Sequence, residues 1–254
     1  MGLHFIQEHL DGTGTYARLL FVDFSSAFNT IIPELLSSKL LQLSVSPAVY
    51  QWIYSFLPGR TQQVRLGDTT SSTHTTSSGA PQGCVLSLLP FSCYRNDCTS
   101  KHLAVKLLKF ADDTTVVGLI KDSDESAYNQ EVERLQLWCR QQNLELCTLK
   151  TIKMILDFRK QFSPQLPLTL SNSHVSTVET FKFLGITVSQ DLKWETDINS
   201  ILKKAQQRMY FLRLLMKHGL PRELLRQFST AVIESVLCSS ITVWFGAATK
   251  KDKL

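Results

Sequence analysis

Hydrophobic and polar positions along the chain alternate in two rhythms, which predict short strands interleaved with helices. Leu19-Leu20-Phe21-Val22 is a continuous apolar run, the pattern of a buried strand, and it ends on Asp23. Val105 to Phe110 and Thr114 to Val117 are rich in β-branched and apolar residues, and Ala111-Asp112-Asp113 lies between them. That arrangement predicts two short strands joined by a tight turn that displays both acids. Pro33 and Pro47 suit the first turns of helices reaching about Leu43 and Leu57, the second stopped by Pro58-Gly59. Thr61 to Leu66 alternates, turns at Gly67-Asp68 and returns through a Ser/Thr-rich stretch to Ser78, the pattern of a hairpin.

Gly79-Ala80-Pro81-Gln82-Gly83 follows as a loop whose glycines allow the backbone to approach a ligand closely. Ser87 is placed to cap a helix through about Cys98. Pro90 falls inside that helix at a cost of about 3 kcal/mol, which predicts a kink or a late start. Asp122 and Glu125 have the spacing of a capping box ahead of the stripe Tyr128, Val132, Leu135 and Cys139. Lys153 to Phe158 is strand-like, and Phe181 to Val188 is another strand candidate, interrupted at Leu184-Gly185 and closed at Gln190-Asp191. From about Thr196 the stripe Leu202, Ala205, Met209, Leu212 and Met216 marks a long helix. Gly219 fits its C′ position, and Pro221 opens a last helix.

With 254 residues and 43% hydrophobic content, the chain suits one large domain or two small ones, and disordered and fibrous classes are excluded. Its net charge of +5 is unevenly placed. Between Ile201 and Arg226 lie Lys203, Lys204, Arg208, Arg213, Lys217, Arg222 and Arg226 against the single acid Glu223. That segment is either a polyanion-facing surface or a solvated helix face. The six cysteines form no Cys-x-x-Cys pair and have no His pair at zinc spacing, so they read as reduced thiols of an intracellular protein. No basic region leads into an apolar run at the N-terminus, which argues against a signal peptide. Glu234 and four serines or threonines within Ala231 to Ala248 argue against a membrane span. Lys251-Asp252-Lys253-Leu254 has the look of a retention signal that could not be read without a signal peptide.

Two adjacent carboxylates repel, so the Asp112-Asp113 turn either holds a cation or is simply solvated. Asp23 offers a third acid. If its strand lies beside the hairpin, the carboxylates of Asp23 and Asp112 converge. Oxygen ligands of this kind suit Mg²⁺. Two such ions about 3.5–4 Å apart can activate an attacking 3′-hydroxyl and stabilise leaving pyrophosphate. The basic helical region could then grip a duplex backbone.

The series Leu20 to Phe28, Gly79 to Ser87, Phe110-Ala111-Asp112-Asp113 and Phe181-Lys182-Phe183-Leu184-Gly185 resembles motifs A, B, C and E of non-LTR retrotransposon (LINE-type) reverse transcriptases. The resemblance implies an α+β fold, a polymerase right-hand palm of antiparallel sheet with helices on one face over residues 1–190. A helical thumb or connection would follow over 191–254. Asp23 and Asp112 would be ligands of two Mg²⁺ ions, or of Mn²⁺, with backbone help from Val22 and Phe24. Asp113 would be the second acid of the pair, nearer the primer end. Phe24, Phe28, Gln82 and Gly83 would surround the incoming nucleotide, with Phe28 either a steric gate against a ribose 2′-hydroxyl or simply a core aromatic. Lys150 matches the motif D lysine, a proton donor to pyrophosphate, or is a surface lysine. Phe183, Leu184 and Gly185 would form the primer grip, and Lys203, Lys204, Arg208, Arg213 and Lys217 would meet the nucleic-acid backbone. The implied activity is RNA-directed DNA polymerisation on an RNA template with a DNA primer and deoxynucleotide triphosphates, with no membrane, in the nucleus.

Departures from the family pattern accompany the match. Leu88 stands where a proline follows the motif B serine, Cys147 lies near the place of the motif D asparagine, Lys153 replaces an acid, and Arg95 replaces a small residue. These read as drift. Only 22 residues precede Asp23, so the expectation is a truncated copy whose fingers are largely absent, without an endonuclease and with a shortened thumb. The alternative is a catalytically inactive nucleic-acid-binding remnant.

Overall fold

The computed structural model describes residues 2–13, 15–81, 83–159, 167–171, 173–239 and 241–245. Helix α1 (Gly2–Leu10) leads into β1 (Thr15–Val22), which is buried at all eight positions. Both faces of this strand are covered, and its side chains divide between them by the period of two. Tyr16, Leu20 and Val22 join the larger core cluster, and Ala17, Leu19 and Phe21 join a smaller one on the other face.

After β1 a 3₁₀ turn (Ala27–Thr30) precedes α2 (Pro33–Gln42) and α3 (Pro47–Phe56), both opened by proline as the sequence predicts. The predicted hairpin forms in two pieces, β2 (Arg60–Gln62) against β5 (His74–Thr76) and β3 (Arg65–Leu66) against β4 (Thr69–Thr70). Helix α4 (Val85–Tyr94) departs from expectation. It begins before Ser87, with Cys84 at the N-cap position. Ser87 is therefore inside the first turn, buried, and its hydroxyl donates to the Pro81 carbonyl instead of capping. The helix also runs through Pro90 without a late start.

Strands β6 (Val105–Phe110) and β7 (Asp113–Lys121) form the acid-bearing hairpin, β7 extending past the predicted end at Val117. In α5 (Ser126–Gln141) the stripe Tyr128, Val132, Leu135 and Cys139 is buried as predicted. A Cβ at Gly118 would stand 2.3 Å from the Tyr128 ring, so α5 reaches β7 only across a glycine. The predicted capping box does not form. Glu125 makes no capping bond, because Tyr16 and Arg18 across the sheet take its carboxylate, and Asp124 instead accepts from the Ser126 N–H at 2.9 Å.

The remaining strands are β8 (Ile152–Leu156), β9 (Thr169–Leu170), β10 (Ser173–His174), β11 (Ser176–Thr177), β12 (Thr180–Phe183) and β13 (Ile186–Ser189). The central sheet has the order β11-β8-β1-β7-β6, antiparallel except for the β11–β8 edge pair. Helices α2 to α5 cover one face. Ile6 of α1 and the β12–β13 hairpin cover the other.

Helix α6 (Glu195–Lys217) then leads to α7 (Arg222–Phe228), a π-helical turn (Ser229–Glu234), α8 (Ser235–Leu237) and α9 (Ile241–Trp244). The predicted apolar stripe of α6 is only partly the buried one. Asp197, Ile198, Ile201 and Ala205 are buried, whereas Leu202, Met209 and Met216 are exposed. The reason is that α6 meets the sheet-bearing part only near its start, where Trp194 and Ile198 pack with Ile186, Ile241 and Val243. There the Asp197 carboxylate also accepts from the Thr187 N–H at 2.9 Å. Among the described residues no helix is long and apolar enough to cross a membrane.

Candidate active site

Strand register brings the acids together. Phe21 pairs with Thr115 and Val22 with Thr114, so the next step along places Asp23 opposite Asp113, the first residue of β7. Phe110 pairs with Asp113 on the other side, which leaves Ala111-Asp112 as a two-residue loop. Ala111 adopts a left-handed φ of 48°, a conformation that costs an L residue about 1–2 kcal/mol.

Asp23 and Asp112 line one cavity of about 630 Å³, together with Phe24, Phe28, Gly83, Cys84, Ser87 and Lys150. Asp113 stands beside this cavity rather than in its wall. Its carboxyl is pushed above the usual carboxylate range by partial burial, then by the charges of Asp112 and Asp23, while Arg95 pulls the other way. Mutual repulsion of this kind would be relieved by a cation placed among the carboxylates.

The segment after α5 holds Asp23 from above. The Cys147 N–H donates to the Asp23 carbonyl at 2.9 Å, and the Asp23 N–H donates to Thr151 Oγ1 at 3.3 Å. Lys150 Nζ lies 3.8 Å from Asp23 Oδ2, with its side chain largely in solvent. Phe24 is buried with its ring edge-on to Phe91 at 6.5 Å, and half-buried Phe28 lies 5.1 Å from the same ring. Phe28 is thus both core-packed and part of the cavity wall. Gly79 approaches protein rather than ligand. It has φ 75°, its N–H donates to Ile31 O at 2.7 Å, and a Cβ there would meet Asn29 Cα at 2.8 Å. Gly83 has open space around it and lines the cavity. Gln82 lies outside the described residues.

Other sequence-derived site residues lie elsewhere. Phe183, Leu184 and Gly185 form the tip of the β12–β13 hairpin, Leu184 and Gly185 both with positive φ. Phe183 and Leu184 line a different cavity of about 870 Å³ with Phe21, Leu107, Leu108 and Phe110, on the opposite face of the sheet. Lys203, Lys204, Arg213 and Lys217 are exposed on α6, away from the acid cavity. Arg208 is half-buried and donates to Val232 O at 2.6 Å, so it braces α6 against the following helices instead of standing free. Cys147, noted in the sequence only as a departure from motif D, and Thr151 fix the Asp23 backbone through long-range bonds that nothing local in the sequence shows.

A hard divalent ion fits the donor set only in part. Among the described residues no three His, Cys, Asp or Glu side chains form a ready-made cage. Asp23 and Asp112 do offer carboxylate oxygens in one open cavity, and Mg²⁺ is ordinarily held by one or two carboxylates while retaining water and taking phosphate oxygens. The two acids suit that mode of binding.

A family model described as "Reverse transcriptase (RNA-dependent DNA polymerase)" matches residues 2–188, and a second, "Alkylated DNA repair protein alkB homolog 8, N-terminal", matches the short stretch 194–235. The chain is 26% identical over 210 residues to the "Probable RNA-directed DNA polymerase from transposon BS" of Drosophila melanogaster, a match covering 79% of this chain and 23% of that protein. It is 24% identical to the "RNA-directed DNA polymerase from mobile element jockey" of Drosophila funebris, again over 79% of this chain and 23% of that protein. The chain therefore spans about a quarter of the length of these relatives. Among solved structures, telomerase from Candida tropicalis with a fragment of telomeric RNA aligns with a TM-score of 0.56 at 11% identity, over 98% of this chain and 42% of that one. Apo telomerase from the same organism aligns with a TM-score of 0.52 at 13% identity, over 96% of this chain and 45% of that one. These two share the right-hand polymerase fold, so the central sheet with α2 to α5 is a palm and a helical part follows it. With three quarters of its length matched by one family model, the chain belongs to the reverse transcriptase (RNA-dependent DNA polymerase) family, in its non-LTR retrotransposon branch.

Proposed function

We propose that the chain is the palm (residues 1–190) and helical thumb (191–254) of an RNA-directed DNA polymerase that extends a DNA primer on an RNA template. The observation that carries this reading is the convergence of Asp23 and Asp112 on one cavity, from the ends of paired strands. Asp23 and Asp112 would hold Mg²⁺, or Mn²⁺ in its place, with Asp113 beside them. Bound there, two such ions supply activation of the primer 3′-hydroxyl and neutralisation of departing pyrophosphate. Phe28, braced by Phe91, presents its ring where a ribose 2′-hydroxyl would sit, so deoxynucleotides are preferred. Phe24, Gly83 and Gln82 shape the space around the incoming nucleotide. Lys150 reaches the same cavity and gives a proton to pyrophosphate. The Phe183-Leu184-Gly185 turn supports the primer from behind the acid hairpin, and the exposed lysines and Arg213 of α6 hold the duplex backbone.

Incubation of the full chain with Mg²⁺, deoxynucleotides and a labelled DNA primer annealed to RNA tests this. Extension is expected, and Asp112→Asn lowers its rate by about a thousandfold or more. Absence of product from the intact chain, or product that survives Asp112→Asn, overturns the proposal. Binding without extension, falling steeply with salt, would leave the nucleic-acid-binding remnant as the reading.

A further inference from the structure

One buried side chain touches three of the site-forming segments at once. Arg95 follows the last residue of α4 and is 2% exposed. Its guanidinium donates to the Ala111 carbonyl, to Thr114 Oγ1 at 2.5 Å and to the Asp112 carbonyl at 3.5 Å. The same group stands 4.6 Å from the Phe91 ring centroid and 5.8 Å from that of Phe24, both of which support the cavity wall. The exchange is reciprocal. Lys109 of β6, just before the acid turn, donates to the carbonyls of Arg95, Asn96 and Cys98 beyond the end of α4. Thus the segment that ends α4 and the β6–β7 hairpin each lend a cation to the other's backbone carbonyls.

Burying a guanidinium is costly, and among the described residues Arg95 Nε has no hydrogen-bond partner. Two features of the acid turn offset that cost. The carbonyls of Ala111 and Asp112 accept from Arg95, and these bonds stabilise Ala111 in its left-handed conformation. Asp112 and Asp113 also concentrate negative charge on a single turn; burial lowers the Arg95 guanidinium from its ordinary range, and the charges of these two acids act against that lowering. A small side chain, the usual occupant by family resemblance, would leave those carbonyls to other donors.

We infer that Arg95 is the positioning residue of the acid turn: it holds the Ala111-Asp112 backbone in its left-handed bend and acts as a buried counter-cation to Asp112 and Asp113. This rests on placing the chemistry at Asp112. The test, however, measures the turn and not polymerisation, so a chain that extends no primer can still satisfy it.

Thermal unfolding of the full chain in EDTA is compared for wild type, Arg95→Met, Asp113→Asn and the double variant, then repeated with millimolar Mg²⁺. Arg95→Met is expected to lower the midpoint by about 5 °C or more. In the double variant part of that loss is recovered, because the acid left without its counter-cation has been neutralised. Mg²⁺ likewise raises the midpoint of Arg95→Met more than that of wild type. Additive losses together with equal Mg²⁺ shifts would reduce Arg95 to packing and overturn the inference. Should Arg95→Met not fold, Arg95→Lys and Arg95→Gln replace it. The lysine keeps the charge and should exceed glutamine in stability only while Asp113 is an acid. A lysine advantage that persists unchanged in the Asp113→Asn background overturns the inference as well.

Discussion

The two ends of β1 treat charge in opposite ways. Toward its start the charges are closed off by short partners. The Tyr16 hydroxyl donates to Glu125 at 2.5 Å, Arg18 pairs with the same carboxylate, and Arg18 also stands 5.2 Å from the Tyr128 ring centroid. Arg159 lies 4.2 Å from the Tyr16 ring centroid and pairs with Asp157 at 2.7 Å. Just past the other end of the strand, the Asp23 carboxylate has among the described residues only the long contact to Lys150, 3.8 Å and largely solvated, and it adds to the repulsion felt by Asp113. A carboxylate that stabilises a fold is surrounded by donors. Asp23, whose carboxylate meets only a distant and solvated lysine among the described residues, keeps lone pairs free for a ligand.

The first way to break this comparison is to open the closed end. Glu125 is the carboxylate partner of Arg18, whose Nε and second terminal nitrogen have no hydrogen-bond partner among the described residues. Glu125→Gln leaves a buried guanidinium uncompensated, and the expected loss is about 3–5 kcal/mol in urea unfolding. Asp112→Asn is expected to lose far less in the same assay, because the charge it removes repels Asp113 as well as facing Arg95. A Glu125→Gln chain as stable as wild type would show that the network is not closed in solution.

A smaller effect follows from Asp157, through pH. Burial raises its carboxyl, but the Arg159 hydrogen bonds and charge outweigh it and hold the group below its ordinary range. For an acid depressed in the folded state, the stabilisation is fully present above the unfolded value of about 3.9. It is lost as pH falls through the lower, folded value. Urea midpoints between neutral pH and the acid side should therefore fall more steeply for wild type than for Asp157→Asn. Parallel curves would mean that Asp157 contributes nothing to acid sensitivity.

The same contrast explains what could be read in the sequence. Features fixed by neighbours along the chain are legible. The apolar run ending on Asp23, the two-residue acid turn, the proline starts of α2 and α3 and the α5 stripe all belong to this class. Features decided by partners far away in sequence are not. Glu125 has the spacing of a cap yet is claimed by Arg18, 107 residues off. The α6 stripe was rotated because only the first turns of that helix meet the palm. Arg95 reads as drift in the sequence because nothing local shows that its guanidinium reaches Ala111 and Thr114 across the fold.

The smallest expected effect on stability is also the sharpest probe of the open end. Lys150 is 74% exposed and its contact with Asp23 is long. An exposed pair of this kind contributes at most about 1 kcal/mol, reduced further by salt, so Lys150→Met should unfold within error of wild type. Loss of primer extension in that variant would then reflect chemistry and not folding. A proton donor to pyrophosphate predicts about a hundredfold slower single-turnover extension. The pH dependence of the rate should change as well, while nucleotide affinity should be little altered. Unchanged extension would make Lys150 a solvated surface lysine and leave Asp23 and Asp112 to carry the cavity's chemistry.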